Sequence, residues 1–154
     1  MNAVAIGIDV SATRFAIAAY SPGKIALCFM QRLTAGRQYE LIREAVRDMH
    51  SEVPEPTAVG IEQPWFGRFP KAAYLHGMSV ARAEDACRAQ WRHAPIRFYQ
   101  PKEWRRLSGV GGGASKGAVA EFAVELGFLP KNQDEADAAL VAAACFFDQL
   151  EGIR

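Results

Sequence analysis

The stretch Val4-Ala-Ile-Gly-Ile-Asp9-Val-Ser11 decides how the rest of the chain is read. It is an apolar strand that delivers one carboxylate, Asp9, at its C-terminal end, where packing alone would have continued the apolar run. In open sheets with parallel strands, ligands gather outside the carboxyl ends of the strands. An aspartate there also serves as an ordinary turn former. For the segment alone the turn former is the better reading, and two later segments change the balance.

Outward from Asp9, the polar turn Ser11-Ala-Thr13 leads into a second strand, Arg14 to Tyr20. The tight turn Ser21-Pro-Gly23 gives onto a third, Lys24 to Met30, and connections this short imply an antiparallel meander. From Arg37 to His50, Leu41, Ile42, Ala45, Val46 and Met49 recur at helical spacing. Pro54 and Pro56 end that helix, and Thr57 to Ile61 is a fourth strand that again runs into an acid, Glu62. Gln63 to Pro70 is a loop, bracketed by prolines and broken by Gly67.

Lys71 to Arg92 has a helical pattern, Ile96 to Tyr99 is a short fifth strand, and Pro101 suits the first turn of a brief helix. Repeated glycine from Gly109 to Gly113 makes a flexible loop. Ser115 caps a helix to Leu126 that Gly127 terminates, and Asn132 with Glu135 has capping-box spacing for a last helix to about Leu150. The expected fold class is α/β. Three antiparallel strands and then two parallel ones form a five-stranded mixed sheet flanked by helices, in the element order of the RNase H-like fold. Residues 1–154 read as one domain.

Composition narrows the function. The 154 residues are 50% hydrophobic and 23% charged, an ordinary globular profile. No apolar run approaches the ~20 residues of a membrane span. The N-terminus has neither a basic n-region nor a cleavage site, so a cytoplasmic protein is expected. Cys28, Cys87 and Cys145 stand far apart with no CxxC pair, which argues against a zinc site or a disulfide framework. The formal net charge of +1 hides an asymmetry: Gln63 to Ala118 holds ten Lys or Arg against three acids. A basic middle on a nearly neutral chain suits a polyanion partner and a separate acidic site, although solvated helix surfaces would look the same.

The acids fall at three stations. If the first and fourth strands lie side by side, Asp9 and Glu62 meet at one edge of the sheet. The third station is Asp134-Glu-Ala-Asp137 at the start of the last helix, where residues three apart share a face. That face continues through Val141 and Ala144, while Glu135 is turned away and belongs to the cap. Acids at a helix N-terminus also compensate its dipole. Four carboxylates on one site would repel one another without cations, and hard oxygen ligands suit Mg2+ or Mn2+. Two such ions can activate water and stabilise the leaving oxygen of a phosphodiester.

Taken together, Gly7-Ile-Asp9-Val-Ser-Ala-Thr13, Val59-Gly-Ile-Glu62-Gln63, Gly111 to Lys116 and Asp134-Glu-Ala-Asp137-Ala-Ala-Leu140 resemble a RuvC-type Holliday junction resolvase of a phage-associated or divergent branch. The segments span nearly the whole chain in the family's order. The resemblance implies magnesium-binding acids at Asp9, Glu62, Asp134 and Asp137, with manganese able to substitute, two ions per site and no organic cofactor. It implies a junction-wedging aromatic at Trp65, a basic residue after the glycine loop at Lys116, and another on the short helix before it at Arg105 or Arg106. It further implies a homodimer, with two sites for two symmetric strands, in the cytoplasm of a bacterial or phage-infected bacterial cell. The chain departs from the family in having Val10-Ser11 where many relatives have proline and glycine, Ala16 where a glycine is frequent, and a weak net charge.

Ser11 and Thr13 in the turn beside Asp9, Trp65 and Phe66 in the proline loop, and Arg68, Lys71, Arg105, Arg106 and Lys116 are the candidate DNA contacts. Lys116 is also a candidate for stabilising charge at the scissile phosphate, and one of Trp65 and Phe66 is expected to pack while the other is exposed. His76 and His93 have no ligand spacing. The leading function is nicking of four-way DNA junctions. The alternatives are a branched-DNA endonuclease of broader selectivity, an RNase H-like nuclease that processes ribosomal RNA, and a non-catalytic binding module, which would have no reason to keep four acids. A sugar-kinase-like ATPase would need a second lobe and phosphate loops that this chain lacks.

Overall fold

Strict alternation builds the first strand. In a computed structural model of the chain, β1 (Ala5–Val10) sends Ile6, Ile8 and Val10 to one face of the sheet and Ala5, Gly7 and Asp9 to the other. The structure describes residues 3–63 and 70–152. The remaining elements are β2 (Arg14–Ser21), β3 (Ile25–Arg32), α1 (Gln38–Glu52), β4 (Ala58–Glu62), α2 (Pro70–Gln90), β5 (Ile96–Tyr99), α3 (Pro101–Ser108), α4 (Lys116–Glu125) and α5 (Gln133–Glu151). They follow the expected order, with β3 two residues longer than the apolar run and β4 taking in Glu62.

The sheet order is β3-β2-β1-β4-β5. β1 pairs antiparallel with β2, β2 antiparallel with β3, and the pairs β1–β4 and β4–β5 are parallel. Helices cover both faces. On one side Ile6, Ile8, Val10, Phe15 and Ile17 meet Ile42, Val46 and Met49 of α1 and Val80, Ala83 and Cys87 of α2. On the other, α5 lies across the sheet, with α3 and α4 packed on it.

A furrow of small residues lets α5 come that close. Gly7 and Gly60 are register partners on β1 and β4, and Ala18 of β2 is the partner of Gly7 on the other side. A Cβ at Gly7 would stand 2.1 Å from Ala142 N and 2.3 Å from Ala138 O, so the helix backbone itself rests on this glycine. The helix is buried on every side from Ala138 to Cys145, as a central helix between sheet and outer helices must be.

The caps set its start. The Asn132 side chain accepts from Glu135 N at 2.9 Å, as the spacing predicts. The reciprocal half of the box differs: the buried Glu135 carboxylate accepts from Lys131 N at 2.7 Å, which ties the helix to the incoming chain one residue earlier. The glycine loop is also more ordered than its composition suggests. Gly109 and Gly111 take φ of 97° and 101°, and Gly111 N donates to Arg105 O at 3.1 Å.

Candidate active site

Parallel pairing brings the first two acids together. Ile8 is the register partner of Ile61, so the next residues, Asp9 and Glu62, leave adjacent strands at the same edge. By alternation both point to the α5 face, Asp9 in line with Gly7 and Glu62 in line with Gly60. Helix α5 supplies the other two. Ala138 rests on Gly7 and Val141 on Gly60. Asp134 lies four residues before Ala138, and Asp137 four before Val141, so each acid is carried one turn further along its row, toward the strand ends.

The electrostatics follow this placement. Burial pushes the Asp9 carboxyl well above its ordinary range, and Glu62, Asp137 and Asp134 each push it further, with Arg14 opposing. Glu62 is raised to about 7, first by burial and then by Asp137, against a hydrogen bond from Trp104 and the charge of Arg105. Asp137 is raised by burial, offset by a hydrogen bond from Gln133 and by the charges of Arg105 and Lys116. The acids are thus in mutual electrostatic reach and short of positive charge.

Each of three acids has a partner of its own. Glu62 Oε2 accepts from Trp104 Nε1 at 2.9 Å, Asp137 Oδ1 from Gln133 Nε2 at 2.7 Å, and Asp134 Oδ2 stands 3.2 Å from Arg14 Nη1. Among the described residues, no three His, Cys, Asp or Glu side chains stand in an arrangement that would hold one ion. The donor chemistry nonetheless fits a hard divalent cation. Half-buried carboxylates that raise one another's pKa are a set that an added cation relieves.

Three cations, Arg14, Arg105 and Lys116, stand near enough to act on the acids. Of the two arginines left open by the sequence, Arg105 is the one whose charge bears on Glu62 and Asp137; Arg106 is exposed. Lys116, the first residue of α4, is exposed with its charge felt at Asp137. Ser11 Oγ accepts from Arg14 N at 3.1 Å, so its hydroxyl shapes the turn beside Asp9, while Thr13 is exposed on it. Lys71 is exposed at the start of α2. Trp65, Phe66 and Arg68 lie outside the described residues. Three residues at the site were not singled out from sequence: Arg14, Trp104 and Gln133. Trp104 carried a signal, being a tryptophan on a short helix otherwise rich in charge.

The Thermus thermophilus RuvC structure is similar to this chain over 97% of its length and 96% of that protein's, with 22% identity and a TM-score of 0.73. The fold is that of RuvC. T. thermophilus RuvC in complex with a Holliday junction substrate aligns over the same 97% and 96%, with 20% identity and a TM-score of 0.78. The yeast mitochondrial Holliday junction resolvase Ydc2 aligns over 99% of this chain and 82% of its own, at 16% identity and a TM-score of 0.58. No protein-family model matches the chain, and no curated protein sequence does. The RuvC fold accounts for the five-stranded mixed sheet and its helices as the sequence predicts them. Among the described residues, no helix is long and apolar enough to cross a membrane.

Proposed function

We propose that the chain is a divalent-metal-dependent endonuclease that nicks four-way DNA junctions. The observation that carries this reading is the gathering of Asp9, Glu62, Asp134 and Asp137, from three separate elements, at one edge of a RuvC-fold sheet. The similar RuvC bound to a Holliday junction substrate supports DNA of that shape as the partner.

Asp9, Glu62, Asp134 and Asp137 would hold the metal. A bound pair of Mg2+ or Mn2+ ions supplies Lewis-acid polarisation of the phosphoryl oxygens and a water of lowered pKa. The chain's own residues do the rest. The carboxylates are half-buried at the sheet edge, open enough for substrate and metal to reach them. Lys116, whose charge reaches Asp137, offers a cation to the charge developing on the phosphate. Arg105, Arg106 and Lys71 follow the DNA backbone, and the turn Ser11–Thr13 bounds its approach beside Asp9. Trp65, three residues after Glu62, stacks in the open centre of the junction.

Two copies would serve the two symmetric strands. The face of α2 supports this, because Tyr74 and Leu75 are exposed beside an open apolar depression lined by Pro70, Ala73, Gly77, Met78 and Ala81. The test is incubation of the purified protein and Mg2+ with a synthetic immobile junction, a flap, a duplex and a structured RNA. Paired nicks in the junction that Asp9→Asn abolishes, with junction binding retained, are the expected outcome. Equal cutting of flap and junction would shift the reading to a general branched-DNA nuclease, and preference for RNA would overturn it.

A further inference from the structure

Among the described residues of the site, Trp104 is the large aromatic entirely shut off from solvent, at 0% exposure. It sits on α3, a helix held at both ends. Pro101 fixes its first turn, Gln100 and Glu103 form a reciprocal cap, and Gly109 closes it in the left-handed region. The flanking Lys102, Glu103 and Arg106 are on the outer side, so the helix inserts Trp104, with Leu107 half-buried beside it, among the buried residues of α5 and the sheet.

A tryptophan buried only for its bulk still has one polar atom to satisfy, and an unpaired buried N–H is costly. Many acceptors would serve. Here the acceptor is Glu62 Oε2, at 2.9 Å, across 42 residues of sequence. Glu62 is the last residue of β4, so its side chain stands at the end of the strand rather than within it. A neutral donor suits this position better than a second cation. It fixes one carboxylate oxygen without neutralising the charge, and leaves the other oxygen for a metal. The opposite arrangement exists one residue on: Arg105 lies with its guanidinium carbon 5.1 Å from the centre of the Trp104 ring, so the same indole also braces the nearest cation.

We propose that Trp104 is a positioning residue for Glu62: its indole N–H selects the carboxylate orientation in which Glu62 receives a divalent cation. The inference rests on the reading of Glu62 as a metal ligand and adds to it an outer partner, a kind of contact whose loss typically costs about 10–100-fold in metal affinity or activity. Trp104→Phe deletes the N–H and keeps an aromatic ring, so it separates the hydrogen bond from the packing.

The experiment has two arms. In the first, Mn2+ binding to the protein alone is followed by the loss of the free-ion electron paramagnetic resonance signal, with junction affinity in Ca2+ and thermal melting as controls. Trp104→Phe is expected to weaken Mn2+ binding roughly 10-fold or more and to leave junction affinity unchanged. Mn2+ affinity equal to wild type overturns the proposal. In the second arm, the indole 15N–1H resonance of Trp104 is recorded in the wild-type protein, assigned by its loss in Trp104→Phe or by selective labelling. Glu62→Gln is expected to move this resonance more than those of Trp65 and Trp91; an unmoved Trp104 resonance also overturns the proposal. This arm needs neither metal nor activity, so it stands if Trp104→Phe folds poorly. A wild-type protein that takes up no Mn2+ while Glu62→Gln shifts the indole would sink the metal reading of the site instead.

Discussion

Gly7 and Gly60 face each other on adjacent parallel strands, and α5 lies in the space that their missing side chains leave. The two are not equivalent. At Gly7 an added methyl would collide with the backbone of α5, at 2.1 Å from Ala142 N, whereas at Gly60 it meets side-chain atoms of Cys145 and Tyr99 at 3.0 Å. Side chains can yield and a helix backbone cannot, short of moving the whole helix. Gly7→Ala is therefore expected to cost ~3 kcal/mol or more, and Gly60→Ala about 1–3 kcal/mol, the usual range for overpacking. Urea melts of the two variants check this. Equal losses would mean that α5 does not rest on β1 as described.

The acidic edge weakens the metal-free protein at neutral pH. Glu62 has a folded pKa of about 7 against an ordinary 4.5, so the folded state binds its proton more tightly than the unfolded chain. For a carboxylate raised in this way, the penalty is fully present above pH 7. It disappears as the pH falls through 7 toward 4.5. Asp9 and Asp137 act in the same direction. The metal-free protein should melt higher at pH 5.5 than at pH 8, and Mg2+ should remove most of the difference. Glu62→Gln should raise stability at pH 8 by about 1–3 kcal/mol while abolishing cleavage. A melting temperature that is flat or rises with pH over this range would contradict the placement of these carboxylates.

Arg106 and Lys116 are both exposed, yet the structure separates their expected roles. Replacing Arg106 by alanine should flatten the dependence of log affinity on log salt by about 0.9, as for one lost phosphate contact. Lys116→Ala should lower the single-turnover cleavage rate more than it lowers affinity, because its charge bears on Asp137. Filter binding at several salt concentrations, alongside single-turnover cleavage, distinguishes the two. A Lys116→Ala variant with slower binding and normal chemistry would reduce it to a backbone contact.

Trp65 and Phe66 follow Glu62 closely in a proline-rich stretch of sequence, which on the proposed function sets them near the scissile phosphate. An aromatic held there has the open centre of a junction to enter and little to enter in an intact duplex, where unstacking costs a few kcal/mol per step. Trp65→Ala is expected to slow junction cleavage about ten-fold more than cleavage of a flapped duplex, in keeping with ~1–3 kcal/mol for a base–aromatic stack. Phe66→Ala is the control. Equal losses on both substrates, or a fall in melting temperature that explains them, would make Trp65 a packing residue.

The acids were legible in the sequence because each interrupts a pattern that packing would otherwise complete. Asp9 and Glu62 end apolar strands, and the spacing of Asp134 and Asp137 repeats a helical face that continues in Val141 and Ala144. The partners of those acids were not legible. The Trp104–Glu62 bond depends on where α3 docks on α5, which no local periodicity encodes. The Arg14–Asp134 pair depends on the Ser11 turn, which sends the chain back beside the start of α5. Glu135 is the converse case: its spacing promised a reciprocal cap, and the incoming backbone at Lys131 competed successfully for the carboxylate.

Helix α5 follows every other described element in sequence, and it brings half of the acids. A chain emerging from the ribosome exposes Asp9 early and Glu62 some fifty residues later, in strands whose shared furrow has nothing yet to fill it. The element that fills the furrow is the same one that carries Asp134 and Asp137. Completion of the core and completion of the acidic edge are therefore a single event. On the proposed function, a nascent or truncated chain would be harmless to nucleic acid for the same reason that it is unfinished as a protein.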